Sequence, residues 1–454
     1  YYDLYYDTTV GIEVPRQVKN AEFVLIPKLI KGTELEKVYN IMTNRGIHQI
    51  NTVETVKVAQ HNRMTLWNND GVLTDEALKE FDNNVFDNSE LFSYNYLYRQ
   101  QEVPQHMVDA SNKAAIQIMK KILDNLPKEI GHVVHNYNFS QVKSGEISVE
   151  KFVSSLTNQE LEALTRGEGG MDSSYGVAGN AGAFGGIIPE LNKKGIPAVI
   201  TTDGPAGIRI RKYTSLLPCG TALASTFNTR LVEELCSEMG KELKNAGSNV
   251  LLAPGMNVHR NPLCGRNFEY FSEDPLLTGK MAAAFVRGIQ SSGGSACPKH
   301  FACNNQESSR TINNSIVSQR ALREIYLKGF EICVKEAKPL NIMTSYNKIN
   351  GVWSHYNYDL ATTVLRKEWG FDGCVMTDWW MKHSASHEFP NLRDNAYRVR
   401  SQVDVYMPGS FKRTEKKYKP DNSLLETIGL KNGITRGELE RSAINVLNMI
   451  LKLE

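Results

Sequence analysis

From about Gly145 to its end the chain repeats one pattern: a short apolar run that closes in polar residues, then a stretch with helical spacing. The runs are Ala198-Val-Ile-Thr-Thr, Asn249-Val-Leu-Leu-Ala, Ser295-Ala-Cys-Pro-Lys, Asn341-Ile-Met-Thr-Ser, Cys374-Val-Met-Thr and Val403-Asp-Val-Tyr-Met. Amphipathic segments such as Arg320 to Lys335 lie between them. Strands that alternate with helices return in one direction, which predicts parallel pairing. Runs that are apolar on both faces predict strands covered on both sides. Six strands are placed this way, and Gly186-Ile-Ile-Pro with one more near the C-terminus brings the set to eight.

The residues that follow these runs decide between an open, doubly wound sheet and a closed barrel. Asp203-Gly-Pro-Ala-Gly-Ile-Arg209 follows the first run and Pro254-Gly-Met-Asn-Val-His-Arg260 the second. Lys299-His300-Phe, Tyr346-Asn347-Lys348 and Asp378-Trp379-Trp380 follow later ones. Reactive side chains at the C-terminal ends of several strands are how a barrel assembles a site, because those ends converge on one mouth. The predicted fold class is therefore α/β: a TIM-type (β/α)8 barrel over residues 146–454, preceded by a smaller N-terminal α+β region over residues 1–145.

The N-terminal region is polar and irregular, with stretches such as Asn68-Asn-Asp-Gly and Asp82-Asn-Asn. Ala21-Glu-Phe-Val-Leu-Ile-Pro27 and Thr55-Val-Lys-Val-Ala59 read as strands. Ala115, Met119, Ile122, Leu123 and Leu126 repeat at helical spacing until Pro127 stops the helix. That face reads as packing surface, and the role of the region stays open, packing over the barrel mouth included.

Composition excludes several classes. Hydrophobic residues make up 41% and charged residues 22% of the 454, enough to bury a core and without a signature of disorder. With 52 basic against 50 acidic residues, the net charge of +2 gives no reason to expect a nucleic-acid or acidic-membrane partner. No apolar run reaches the roughly 18 residues a membrane span needs. The seven cysteines are odd in number and scattered in apolar runs, as at Cys236, Cys333 and Cys374, and read as reduced core thiols. With no signal-peptide core visible, the expected location is cytoplasmic. The chain opens Tyr1-Tyr-Asp-Leu-Tyr-Tyr without an initiator Met, so a processed, excised or partial chain is expected.

No metal and no cofactor are expected. Cys297-Pro-Lys-His-Phe-Ala-Cys303 matches none of the usual zinc spacings, and Lys299 would repel a cation. The run Gly176-Val-Ala-Gly-Asn-Ala-Gly-Ala-Phe-Gly-Gly186 fits neither nucleotide fingerprint and reads as a mobile loop near the barrel mouth. Asp and aromatic side chains together with Lys, His and Arg suit a neutral, hydroxyl-rich ligand. Asp378 beside Trp379 and Trp380 sets a carboxylate next to apolar surface on which a sugar ring could lie. The expected partner is a small carbohydrate or glycoside; a homo-oligomer is left open.

Asp203-Gly-Pro, Gly265-Arg266-Asn-Phe-Glu269-Tyr-Phe-Ser-Glu-Asp-Pro275, Lys299-His300-Phe, Thr344-Ser-Tyr346-Asn and Gly370-Phe-Asp-Gly-Cys-Val-Met-Thr-Asp378-Trp together resemble glycoside hydrolase family 3, in that family's order and spacing. The resemblance covers roughly residues 145 to 454. Ser144-Gly-Glu-Ile-Ser-Val-Glu-Lys-Phe-Val153 resembles the start of the barrel in bacterial members with reversed domain order. It implies retaining, exo-acting hydrolysis of terminal β-linked glucose or xylose, with Asp378 as the nucleophile that carries a covalent glycosyl group. It also implies that Asp203, Arg266, Lys299, His300, Arg310 and Tyr346 hold the sugar. Trp379 joins them from its place beside the nucleophile. Lys and Arg nearby are expected to keep Asp378 ionised, and Asp203 is expected to accept from two sugar hydroxyls.

Blander roles stand beside these: an N-cap for Asp378, a pair with Glu269 or Glu273 for Arg266, solvation or a pair with Glu307 for Arg310. In the N-acetylglucosaminidase branch an Asp-x-His pair follows Lys-His-Phe. Here the loop reads Ala302-Cys-Asn-Asn-Gln-Glu-Ser-Ser-Arg310, which favours the glucosidase and xylosidase branch. There the acid/base is a Glu from a second α/β domain. Residues 1–145 lack the repeats of such a domain, and no motif selects among Glu80, Glu90 and Glu102. The acid/base is therefore unknown: it comes from the N-terminal region, a second subunit or a missing portion. A sugar-binding or scaffold protein lacking its acid/base domain is the alternative, and a transferase or phosphorylase on the same barrel is a third reading.

Overall fold

A computed structural model describes residues 137–381, 394–409, 411–414, 417–420, 423–428 and 433–453. Residues Asn136–Thr427, Asn432–Ile434 and Glu438–Glu454 form one compact unit. The N-terminal strands and helix expected from the sequence, with Glu80, Glu90 and Glu102, lie outside the described residues.

The unit is a TIM-barrel-like α/β domain. Its strands are β1 (Gly182–Gly185), β2 (Ala198–Asp203), β3 (Val250–Leu252), β4 (Ser295–Ala296), β5 (Asn314–Ser315), β6 (Asn341–Met343), β7 (Lys348–Ile349), β8 (Val352–Trp353) and β9 (Cys374–Met376). One sheet runs β1-β2-β3-β4, with β2, β3 and β4 parallel. Strands β6 and β9 form a second parallel pair. Single bridges join the two sets. Phe301 bridges Thr344, Met376 bridges Val405, Tyr406 bridges Arg166, and Gly167 bridges Phe184 of β1. Followed in turn, these pairings return to their starting point, as in a closed barrel and not an open sheet. β5, β7 and β8 form a separate small sheet.

Three details depart from the sequence reading. First, β1 pairs antiparallel to β2, so one stave runs against the rest. Second, the stave is Gly182-Ala-Phe-Gly185 and not Gly186-Ile-Ile-Pro, and the eighth position is filled by Arg166–Gly167. Third, the end of the glycine-rich run is thus a fully buried strand and not a mobile loop. Its glycines are there for lack of room. A Cβ on Gly182, whose φ is +113°, would sit 2.6 Å from the Gly170 carbonyl oxygen.

The helices that back the ring follow from their sequences. Asn228 caps Thr229–Asn245 by accepting from Leu231 N at 3.1 Å, and Val232, Cys236, Met239 and Leu243 form its buried stripe. Asp274 caps Pro275–Gln290, whose first-turn proline needs no hydrogen bond. That helix packs between Thr229–Asn245 and Lys328–Ala337 and is buried along most of its length. The approach is close: a Cβ on Gly288 would fall 2.5 Å from the Glu233 carbonyl oxygen. The main core lies between ring and helices, with Leu251, Ala296, Ile342 and Val375 from the strands meeting Phe285, Phe330, Cys333 and Leu365. Cys236, Cys297, Cys333 and Cys374 are buried free thiols, each pushed up by burial, and so behave as small apolar groups. No helix among the described residues is long and apolar enough to cross a membrane.

Candidate active site

Strand ends place the reactive side chains. Asp203 is the last residue of β2, and Lys299 continues the line of β4 through a bridge to Gly255. Tyr346 lies three residues past β6 and Asp378 two past β9. Arg266 comes from the loop after β3, just before the turn Asn267–Glu269, and Arg310 from the loop between β4 and β5. All of them, with His300 and Trp379, line one cavity of about 320 Å³. Every site residue expected from the sequence is therefore brought to the same place.

Asp203 is gripped from two sides. Lys299 Nζ donates to Oδ1 at 2.9 Å and Arg209 Nη2 reaches Oδ2 at 2.7 Å. Burial alone would raise this carboxyl, but Lys299 and Arg209 outweigh it and hold the group below its ordinary value. The Gly204 N–H also donates to this carboxylate, which is 26% exposed and lines the cavity. The sequence reading gives Arg209 no role; its signal is an arginine six residues after a strand-end aspartate.

Asp378 is buried. Its Oδ1 accepts from Trp379 N at 2.7 Å, and its Oδ2 lies 3.7 Å from His300 Nε2. Burial raises its carboxyl above the usual value, against the pull of Arg266, the Trp379 N–H, Lys299 and Arg310. The neighbouring cations oppose this rise without cancelling it. Desolvation wins because the carboxylate is buried beneath the cavity floor, only 8% exposed. His300 goes the other way: burial, then the charges of Arg266, Lys299 and Arg310, hold its imidazole well below the ordinary histidine value. It is neutral, and its approach to Asp378 is not an ion pair.

The arginines are held by glutamates, which supports the blander reading of those glutamates. Arg266 Nε donates to Glu269, and its Nη1 lies 4.0 Å from Glu307. Glu307 accepts from Arg310 Nη1 at 3.0 Å, and the Arg310 guanidinium lies over the Tyr346 ring, 4.6 Å from its centroid. Tyr346 donates to the Trp379 carbonyl at 2.7 Å, and burial raises its phenol. Trp379 is buried and its indole N–H donates to the Ala181 carbonyl, so it is a wall of the cavity. The exposed aromatic at the mouth is Trp380. Met171, Ala181, Leu252 and Met343 supply further apolar wall. Among the described residues no cluster of His, Cys, Asp and Glu has the arrangement of a metal site.

The sequence profile of the Glycosyl hydrolase family 3 N terminal domain matches residues 149–449. The chain belongs to glycosyl hydrolase family 3. Within the family, a beta-glucosidase from Ruminococcus albus is 46% identical over 315 residues, which are 69% of this chain and 32% of that protein. Beta-glucosidase A from Butyrivibrio fibrisolvens is 47% identical over 247 residues, 53% of this chain and 29% of its own. Among solved structures, a beta-glucosidase from Paenibacillus barengoltzii superposes with a TM-score of 0.66 at 45% identity, over 74% of this chain and 36% of that one. Beta-glucosidase 3B from Thermotoga neapolitana in complex with glucose gives 0.60 at 41% identity, covering 67% and 42%. The chain thus spans about a third of the length of these family relatives.

Proposed function

We propose that this chain is a retaining exo-β-glycosidase acting on terminal β-linked glucose or xylose, with Asp378 as nucleophile and residues 146–454 as the catalytic domain. The observation that carries the proposal is the buried Asp378 carboxylate facing a neutral His300 and ringed by Arg266, Lys299 and Arg310, on a cavity it shares with the doubly paired Asp203. A carboxylate raised by burial is a stronger base and nucleophile once ionised. Asp203 presents directional acceptors to ring hydroxyls, and Lys299, His300 and Arg266 present donors. Trp380 offers its face at the mouth.

A retaining mechanism also needs a proton donor. Asp203 is held ionised by two cations, and Glu269 and Glu307 are engaged by arginines. Among the described residues, none of these carboxylates is placed to serve. The acid/base is accordingly a group other than these three, the N-terminal residues and a second subunit included. The relatives' name, beta-glucosidase, supports glucose as the sugar.

The test is covalent trapping with dinitrophenyl 2-deoxy-2-fluoro-β-glucoside, followed by peptide mass spectrometry. The leaving group departs without acid help, so the nucleophile is examined alone. A glycosyl adduct on Asp378, absent in Asp378→Asn, is expected. No adduct with either the glucose or the xylose reagent would refute the proposal in favour of a sugar-binding or scaffold protein.

A further inference from the structure

His300 is fixed at two levels. Its backbone is clamped by Asn257, which donates to the His300 carbonyl and accepts from its N–H, each at 2.9 Å. Its ring meets Tyr270, a fully buried residue whose hydroxyl lies 3.2 Å from Nδ1, with the two rings edge to face at 6.2 Å. Tyr270 in turn packs on Gly255, where a Cβ would come within 3.0 Å of the phenol ring. Asn304 Nδ2 donates to the Tyr270 hydroxyl at 3.0 Å and to Glu307 Oε1 at 2.9 Å.

This chain of contacts has a direction. Glu307 accepts only, so the Asn304 amide must turn its NH2 toward both partners. The Tyr270 oxygen then accepts a hydrogen bond from Asn304, and its own O–H is directed at His300 Nδ1. An imidazole that accepts at Nδ1 carries its hydrogen at Nε2. Nε2 is the atom 3.7 Å from the Asp378 carboxylate, too far for a direct bond. The other tautomer would turn a lone pair toward that carboxylate.

We propose that Tyr270 is a positioning residue: its hydroxyl, oriented by Asn304, fixes the Nε2–H tautomer of His300 and aims that N–H into the cavity beside Asp378. The effect on a bound sugar rests on the glycosidase reading above; the tautomer does not. The neutral state that the device requires is supplied by burial and by Arg266, Lys299 and Arg310. Tyr270 stays protonated, since burial raises its phenol.

The test is 15N–1H correlation spectroscopy of histidine-labelled full chain without ligand, with the His300 signal among the ten histidines assigned through His300→Gln. Wild type is expected to show the neutral Nε2–H pattern across roughly pH 6 to 8. Tyr270→Phe, which keeps the ring, is expected to give mixed tautomers and to raise KM for an aryl β-glucoside about tenfold, with a smaller change in kcat. Asn304→Ala removes the group that orients the hydroxyl and should shift the pattern the same way, so the test survives if Tyr270→Phe does not fold. An Nδ1–H or doubly protonated His300 in wild type overturns the proposal. So does an unchanged pattern in the folded variants. A wild-type chain with the expected tautomer but no adduct on Asp378 would overturn the glycosidase reading alone.

Discussion

Lys299→Met removes the buried half of the grip on Asp203. The lysine side chain is 5% exposed and the aspartate 26%, whereas the remaining partner, Arg209, is 67% exposed and screened by water. Removing one partner of a fully buried pair costs about 3–5 kcal/mol, and a quarter-exposed carboxylate that keeps a solvated arginine should lose about 2–3 kcal/mol. Unfolding entropy of about 2.1 cal/mol/K per residue over roughly 310 residues converts this to a fall in Tm of about 3–5 °C at pH 7. The pH dependence has a definite sign. In the wild type the folded pKa of Asp203 lies below its ordinary value of 3.8. Its stabilisation is therefore fully present above that value and is lost as pH falls through the lower, folded one. In Lys299→Met only the solvated Arg209 and the Gly204 N–H still oppose burial, so the carboxyl rises and the cost of keeping it ionised is relieved by acid. The gap in Tm should be widest near neutrality and close below about pH 4. Melting followed by near-UV circular dichroism from about pH 3 to 8 measures it, and the rate of trapping at Asp378 should fall in parallel. A gap under about 1 °C, or one independent of pH, would show that Lys299 does not hold Asp203.

Two further outcomes are expected. Asp404 is fully buried and accepts from Arg366 Nη2 at 2.5 Å, Val375 N at 2.8 Å and Asn445 Nδ2 at 2.9 Å, next to the strand that presents Asp378. Asp404→Ala should cost about 3–5 kcal/mol, a fall in Tm of about 5–8 °C, and Arg366→Met with Asp404→Leu should recover much of it; calorimetry of the three variants decides. Trp380 is 57% exposed at the cavity mouth, so Trp380→Ala should raise KM for an aryl glucoside about 3–10-fold with Tm nearly unchanged, and steady-state kinetics with a melting curve would expose any other outcome.

The sequence determined the order of six of the strands, the residues at their ends and the family, because each rests on local pattern. Apolar runs closing in Asp203, Lys299 and Asp378 read the same way in the chain as in the fold, and residues 175 positions apart, such as Asp203 and Asp378, could be expected in one cavity once a barrel was inferred. The reversed stave was not legible. Gly182-Ala-Phe-Gly185 lacks the apolar weight of a buried strand, and its pairing is set by backbone contact with β2 and the closeness of Gly170, which no spacing rule encodes. Protonation was not legible either. Asp203 and Asp378 are both aspartates at strand ends, yet one is lowered and the other raised. The difference lies in how much water each loses and which cations stand against its oxygens. Burial and charge around an atom are sums over the whole fold, so only the tertiary structure could give the two carboxylates their separate characters and turn His300 toward one of them.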